Sequence, residues 1–384
     1  MAGLSRLSEF NKSQIIALLG ALMLVIGYGL ALGPARTTAH SPGPAPASSA
    51  STAVVNAISD KEINPDLFLY RAILDRVTQG EAYHAVAADE QRRGGYPLKP
   101  FVTMRLPTLA VAMATVGPMG ATAVLWGLMA ATLLVWWRRL DGAFSDPGRR
   151  VTAIMLLVSG LTLIAMRNLI VVHDIWAGLL IALAFGLHDG RRWGPAFIAV
   201  AAAVAIRETM LPIAALFLTL ALWEKRWREG VAWVALMAVA GLALWFHAQA
   251  VAAVTFASDP PTQGWVRMGG WSFVLHAVRG TTALRALPEW VAAIAVPLSF
   301  LGWLTWRSRT GLAVSFALVG YSLLFMTAGR TENFYWGLWI APTLLMGLAF
   351  IPQAFSDLRA AWAKPRPSVL PDTRRAPSPF TAPK

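Results

Sequence analysis

The sequence predicts an all-α, polytopic membrane protein of about ten transmembrane helices, and three observations carry that prediction. Of its 384 residues, 56% are hydrophobic and only 14% are charged, against about 25% charged in a soluble domain. Uncharged apolar runs of roughly 12 to 20 residues recur along the chain. Lys and Arg gather in short clusters between those runs. A soluble enzyme, a disordered chain and a secreted disulfide scaffold are excluded. With no cysteine, the chain has no disulfide, thiolate nucleophile or Cys-ligated metal. The net charge of +13 would elsewhere point to nucleic acid, but here it is distributed as topology determinants are, so no nucleic-acid partner is expected.

Residues 1–13, carrying Arg6 and Lys12, read as a cytoplasmic N-terminus, and 14–352 as the multi-span domain. The first apolar stretch, Ile15 to Leu32, is longer than the usual signal-peptide core of 7 to 15 residues and is followed by Pro34, so it reads as a retained span. Apolar segments near 118–137, 151–166, 174–187, 195–206, 210–223, 231–248, 290–306, 311–328 and 334–352 supply the other crossings. Several are shorter than the roughly 20 residues a crossing needs and must borrow flanking residues or be buried by neighbours. Leu106 to Val116, bounded by Pro107 and Gly117-Pro118, reads as a half-inserted or interfacial helix. Arg138, Arg139, Arg149 and Arg150, then Arg191 and Arg192, then Lys225, Arg226 and Arg228, then Arg307 and Arg309, occupy alternate turns. The positive-inside rule places them, both termini, and a basic, Pro-rich, disordered tail over 353–384 in the cytoplasm.

This topology leaves two long external loops, 35–104 and 249–289. The first opens with an Ala/Ser/Pro-rich spacer and then carries a helix start: Asn64 as N-cap, Pro65 at the first position and Asp66 in the first turn. Leu67, Tyr70, Leu74 and Val77 recur at helical spacing and Gly80 ends the run, predicting an amphipathic helix over 65–79 lying on the membrane surface. Arg105, Arg167, His173, Asp174, Arg207, Glu208, His247, Arg330 and Glu332 fall near the outer face. A charge near the bilayer centre costs at least about 2.5 to 3.5 kcal/mol, so their convergence points to one polar, externally open cavity.

Each candidate has a second, plainer reading. Asp66 is either a functional carboxylate, held ionised by the helix dipole, or simple dipole complementation. Arg207 and Glu208 are adjacent, and neighbours on a helix point about 100° apart, so Arg207 requires another anion, for which a lipid phosphate would serve. Arg330 is either a snorkelling anchor or a phosphate contact. His173-Asp174 has no further His or carboxylate at ligand spacing, so neither a metal nor any other cofactor is expected. The Trp residues gather near helix ends as an aromatic belt. There is no GxxxxGK[ST] loop and no GxSxG elbow.

Asp66-x-x-x-Tyr70, Gly80-x-x-Tyr83, Tyr96-Pro97 and Arg105-Leu106-Pro107 together resemble the first external loop of GT-C-fold glycosyltransferases, in particular bacterial polyprenyl-phosphate-sugar-dependent mannosyltransferases. His173-Asp174-x-Trp176-Ala177-Gly178 and the Arg207-Glu208 break resemble the same architecture more loosely. Tyr96-Pro97-Leu98-Lys99-Pro100 departs from the adjacent prolines often found there. The resemblance implies an inverting transfer of a mannose-like hexose from a polyprenyl-phosphate donor to a lipid or glycan acceptor at the extracytoplasmic side of the cell (inner) membrane. It implies Asp66 as general base, with Asp60 and Glu62 as alternates. It implies Arg207, Arg330 and Arg105 as donor-phosphate contacts, and Tyr70, His173, Asp174 and Glu208 as substrate contacts. Two other readings stay open: a polysaccharide ligase or polymerase using Arg267, His276 and Arg279 in the second loop, and a secondary transporter, although no internal repeat is present.

Overall fold

The computed structural model describes residues 6–32 and 66–364, apart from positions 191 and 265. Asp60, Glu62, Asn64, Pro65, the Ala/Ser/Pro-rich spacer and most of the basic tail lie outside the described residues. Within them the fold is all-helical, and the one β-like pairing is an isolated bridge between Lys99 and Pro261. Four helices are long and apolar enough to cross a membrane, or five if one bent pair counts as a single span; this is a membrane protein.

The first span, α1 (Lys12–Ala31), starts at an Asn11/Gln14 capping box in which each side chain bonds the other's backbone amide. Its outward positions, such as Met23 and Leu24, are apolar and exposed, as a lipid-facing surface requires. Helices α2 (Leu67–Thr78) and α3 (Tyr83–Arg93) form the ordered part of the first loop. Gly80, at φ +92°, turns the chain between them. The expected surface-lying helix is corrected here: Leu67, Tyr70 and Ile73 of α2 are buried against protein, because α3 and the following helix cover the apolar stripe.

That following helix, α4 (Thr108–Asp141), is 34 residues long and breaks at Gly117, whose φ/ψ of 73°/167° precedes Pro118. Its first limb, 108–116, is the stretch expected to be half-inserted. Helices α5 (Pro147–Gly160), α6 (His173–Leu187), α7 (Gly194–Ile206), α8 (Leu211–Trp223), α9 (Trp227–Val254), α10 (Gly270–Thr281), α11 (Glu289–Thr305) and α12 (Arg309–Ala328) follow. Thirteen residues, as in α7 and α8, rise only about 20 Å, less than the roughly 30 Å hydrocarbon core. The short α6 is the central element, with every residue but Leu187 buried; a helix apolar on all sides is stable only when enclosed.

Three expectations change at the loops and C-terminus. The second external loop contains the amphipathic α10, which the sequence reading had left irregular. The segment 334–352 is not a straight span: 3-10 turns over Thr331–Trp339, α13 (Ala341–Leu344) and 3-10 turns over Leu345–Phe350 lead into α14 (Ile351–Ala363), with a 57° bend. Gly302 of α11 meets the Gly347 carbonyl there and Gly178 meets that of Leu338, so closely that a Cβ at either position would collide with backbone. The tail expected to be disordered from 353 is helical to Ala363, because Ala354, Leu358 and Ala361 bury one face.

The basic turns meet at one end of the bundle. Arg139 bonds Thr310 Oγ1 at 3.0 Å and also the His188 carbonyl. Arg309 reaches Glu224 at 2.7 Å, Arg6 donates to the Ser308 carbonyl at 3.0 Å, and Arg307 pairs with Glu9. The opposite end of α6 carries His173. Around it Arg71 donates to the Asn168 carbonyl at 2.8 Å, and the Arg92 guanidinium grips Asp259 through two 2.8 Å bonds.

Candidate functional site

At that second end, α2, α3, the turn at 101–105 and the segment 330–335 enclose a cavity of about 220 Å³. Asp66, Tyr70, Tyr96, Arg105, Arg330 and Tyr335 line it. Two chain reversals place the first pair: Asp66 is the residue before α2, and Arg105 directly precedes the Leu106-Pro107 start of α4.

Asp66 does not cap its own helix. It sits at φ −76°, ψ −10°, and its side chain makes no bond to the first-turn amides. Its carboxylate instead accepts from the Tyr335 hydroxyl, 3.5 Å from Oδ2, and from Tyr96. The expectation that the helix dipole holds this group low is reversed. Burial raises its pKa above the ordinary carboxylate value, while Arg105 and the two tyrosine hydroxyls oppose the rise and the charge of Asp174 adds to it. The same burial, with the Asp66 charge next, lifts the Tyr96 phenol to about 12, so it remains a hydrogen-bond donor at neutral pH.

Arg105 is fixed by phenols. Its Nε donates to the Tyr70 hydroxyl at 3.0 Å and its Nη2 to that of Tyr335 at 3.3 Å, while the Tyr83 hydroxyl donates to its carbonyl at 2.8 Å. Tyr335 thus touches both the carboxylate and the guanidinium. Arg330 lies across the cavity, 3.1 Å from Glu332 and with Nη1 3.5 Å from the Gly264 carbonyl. A carboxylate able to accept a proton and two guanidinium groups able to hold an anion therefore share one enclosed space.

The other sequence candidates sit elsewhere. Arg207 is 2% exposed, and its Nε bonds Asp174 Oδ1 at 3.0 Å. Its Nη1 also reaches Glu208 at 3.3 Å. The argument that sequence neighbours cannot pair assumed a helix, whereas Arg207 is extended at φ −142°, ψ 107°, which swings the two side chains together. The anion Arg207 requires is supplied within the protein, so it stands as a buried structural ion and not as a cavity-lining phosphate contact. Asp174 takes a second bond at the same oxygen from Trp339 Nε1 at 2.7 Å. His173 lies behind the cavity wall, its ring edge-on to Tyr70 with centroids 5.1 Å apart. Glu208 faces a separate groove. Of the second-loop candidates, His276 packs among Phe273 and Phe334 and Arg279 pairs with Glu289 at 3.4 Å; neither lines the cavity.

Sequence reading missed Tyr335 and the role of Tyr96. Tyr335 was hidden in the aromatic run Phe334-Tyr335-Trp336, which reads as part of a span, while Tyr96 was noted only beside Pro97. Among the described residues no group of three or more His, Asp or Glu side chains is placed to hold a metal ion. No family model matches the chain, and no characterised protein or solved structure shows significant similarity to it.

Proposed function

We propose that the chain is a membrane glycosyltransferase of the GT-C type, with ten passes, moving a mannose-like hexose from a polyprenyl-phosphate donor to an extracytoplasmic lipid or glycan acceptor. The observation that carries this reading is the shared cavity of Asp66, Arg105 and Arg330, at the end of the bundle opposite the basic turns. The positive-inside rule sets those turns in the cytoplasm, which puts the cavity at the outer face of the cell (inner) membrane. Nucleotide sugars are absent there, so a transferase needs a donor activated by a lipid phosphate.

The chemistry follows from the groups present. An acceptor hydroxyl oxygen attacks the anomeric carbon as its proton passes to Asp66; the bond from that carbon to the phosphate oxygen breaks and its electron pair stays on the phosphate, inverting the centre. Burial raises the basicity of Asp66, which favours its use as a general base near neutral pH. Arg105 and Arg330 neutralise the charge that grows on the departing phosphate, and Tyr335 ties the positions of base and cation together. Tyr70 acts through Arg105, while Arg207, His173, Asp174 and Glu208 brace the wall behind. Access for a lipid-borne donor is favoured by the loop that Arg330 holds through Gly264, where Val266 and Met268 are exposed and apolar.

The experiment is direct. Purified protein in liposomes, supplied with a polyprenyl-phosphate hexose labelled in the sugar and with a membrane extract as acceptor source, should release polyprenyl phosphate and transfer label. No consumption of any such donor, across mannose, glucose and galactose forms, contradicts the reading.

A further inference from the structure

Outside the cavity, the helix pair α7 and α9 flanks a second and larger space. Between them, α3 and the start of α4 lies a groove of about 630 Å³. Its walls are small and apolar: Ala201 and Ala205 on α7, and Ala243 and Ala250 on α9, leave the room that larger side chains would fill. Around its mouth the exposed residues are also apolar, with Ile198, Val239, Leu242 and Phe246 all facing outward. Both α7 and α9 lie in the apolar part of the bundle, so the groove opens sideways into lipid rather than into water.

Polar groups occur only at its outer end, and they are of a particular kind. His247 Nε2 is 3.1 Å from the Met104 carbonyl, and that nitrogen must therefore carry the proton. Its Nδ1 is then the acceptor for His84 Nε2, 3.1 Å away. The sequence of bonds leaves Nδ1 of neutral His84 as an open acceptor. The Glu208 carboxylate, held on one oxygen by Arg207 at 3.3 Å, also lines the groove, and so does the Thr108 hydroxyl. This end supplies two acceptors and one group that both gives and receives.

We propose that this groove binds a membrane lipid whose headgroup is a free hydroxyl. A hydroxyl donates to His84 or Glu208 and accepts from Thr108, satisfying both kinds of partner at once. A phosphate headgroup brings only acceptors at neutral pH and sets a second negative charge beside Glu208. An ammonium headgroup has nothing to offer Thr108 as an acceptor. The chains occupy the alanine-lined length, where the match is one of shape and apolar contact. The site is distinct from the Asp66 cavity: the stretch from Met104 to Pro107 divides them, with Met104 and Arg105 facing the cavity and Leu106 and Pro107 the groove. It therefore does not depend on the transfer reaction.

The test uses the full chain in phosphatidylcholine nanodiscs and a diacylglycerol carrying a diazirine on one acyl chain. After illumination, the adducts should fall on peptides of α7 and α9 that line the groove. Excess unlabelled diacylglycerol should remove them, and phosphatidic acid or a long-chain amine with matching chains should not. Ala243→Leu, which fills the groove, and His84→Phe, which removes the acceptor while keeping ring bulk, should each lower labelling about tenfold, the scale expected when a buried polar partner is lost. Competition on the unaltered chain needs no variant to fold. Adducts spread evenly over lipid-facing helices, or equal competition by phosphatidic acid or the amine, would overturn the proposal.

Discussion

Arg207 Nε lies 3.0 Å from Asp174 Oδ1, joining the break between α7 and α8 to the first turn of α6. Both groups are almost fully enclosed, at 2% and 1% exposed. Removing one member of such a pair strands the other charge, which costs about 3 to 5 kcal/mol. Arg207→Met should lose that much stability, measured by unfolding in mixed micelles. Adding Asp174→Asn, which keeps an acceptor for Trp339, should restore more than half of it. The double variant should keep its KM for the donor, since neither residue lines the cavity.

Arg330 makes the opposite case. It lines the cavity and is held only at the loop, by Glu332 and the Gly264 carbonyl. Charge-assisted hydrogen bonds contribute about 1.5 to 3 kcal/mol, so Arg330→Ala should raise the donor KM about ten- to a hundredfold. Stability should change little. Arg330→Lys should recover part of the loss, because the charge returns without the two-pronged geometry.

The Asp66 carboxyl titrates above the ordinary range because burial outweighs Arg105 and the tyrosine hydroxyls. The folded state therefore binds this proton more tightly than the unfolded chain. Stability from this group is full below the unfolded carboxylate pKa of about 4 and falls as pH rises through the folded value. Asp66→Asn should then be at least as stable as the parent chain at pH 7, and its melting temperature should depend less on pH. The transfer rate of the parent should climb with pH over the same window, as the base loses its proton.

Sidedness has its own check, helped by the lack of cysteine anywhere in the chain. Gln79 follows α2 and Ser145 lies in the basic turn between α4 and α5, both exposed. In intact cells, an impermeant maleimide should label Gln79→Cys at once and Ser145→Cys only after the membrane is opened. The reverse pattern would put the cavity in the cytoplasm.

Much of this was legible in the chain. The 3.6-residue spacing of Leu67, Tyr70 and Leu74, ended by Gly80, located α2 to within two residues, because local periodicity and a left-handed turn are local properties. Asp66 and Arg105 were legible for a similar reason, each adjoining the proline-marked start of a helix. The partner of Arg207 was not, since Asp174 is 33 positions away and the extended backbone that also admits Glu208 leaves no mark in composition. The bend after Trp339 was hidden as well: residues 334 to 350 are as apolar as any span, and only contacts such as Gly302 with Gly347 reveal that they fold into short turns.

The most direct measurement is sugar transfer by Asp66→Asn beside the parent protein, in the same liposomes, with donor binding measured in parallel. The account predicts that transfer falls at least about a hundredfold, the lower scale of general-base catalysis, while the variant stays folded and still binds the lipid-phosphate donor. Transfer at the parent rate by a folded Asp66→Asn protein would contradict it.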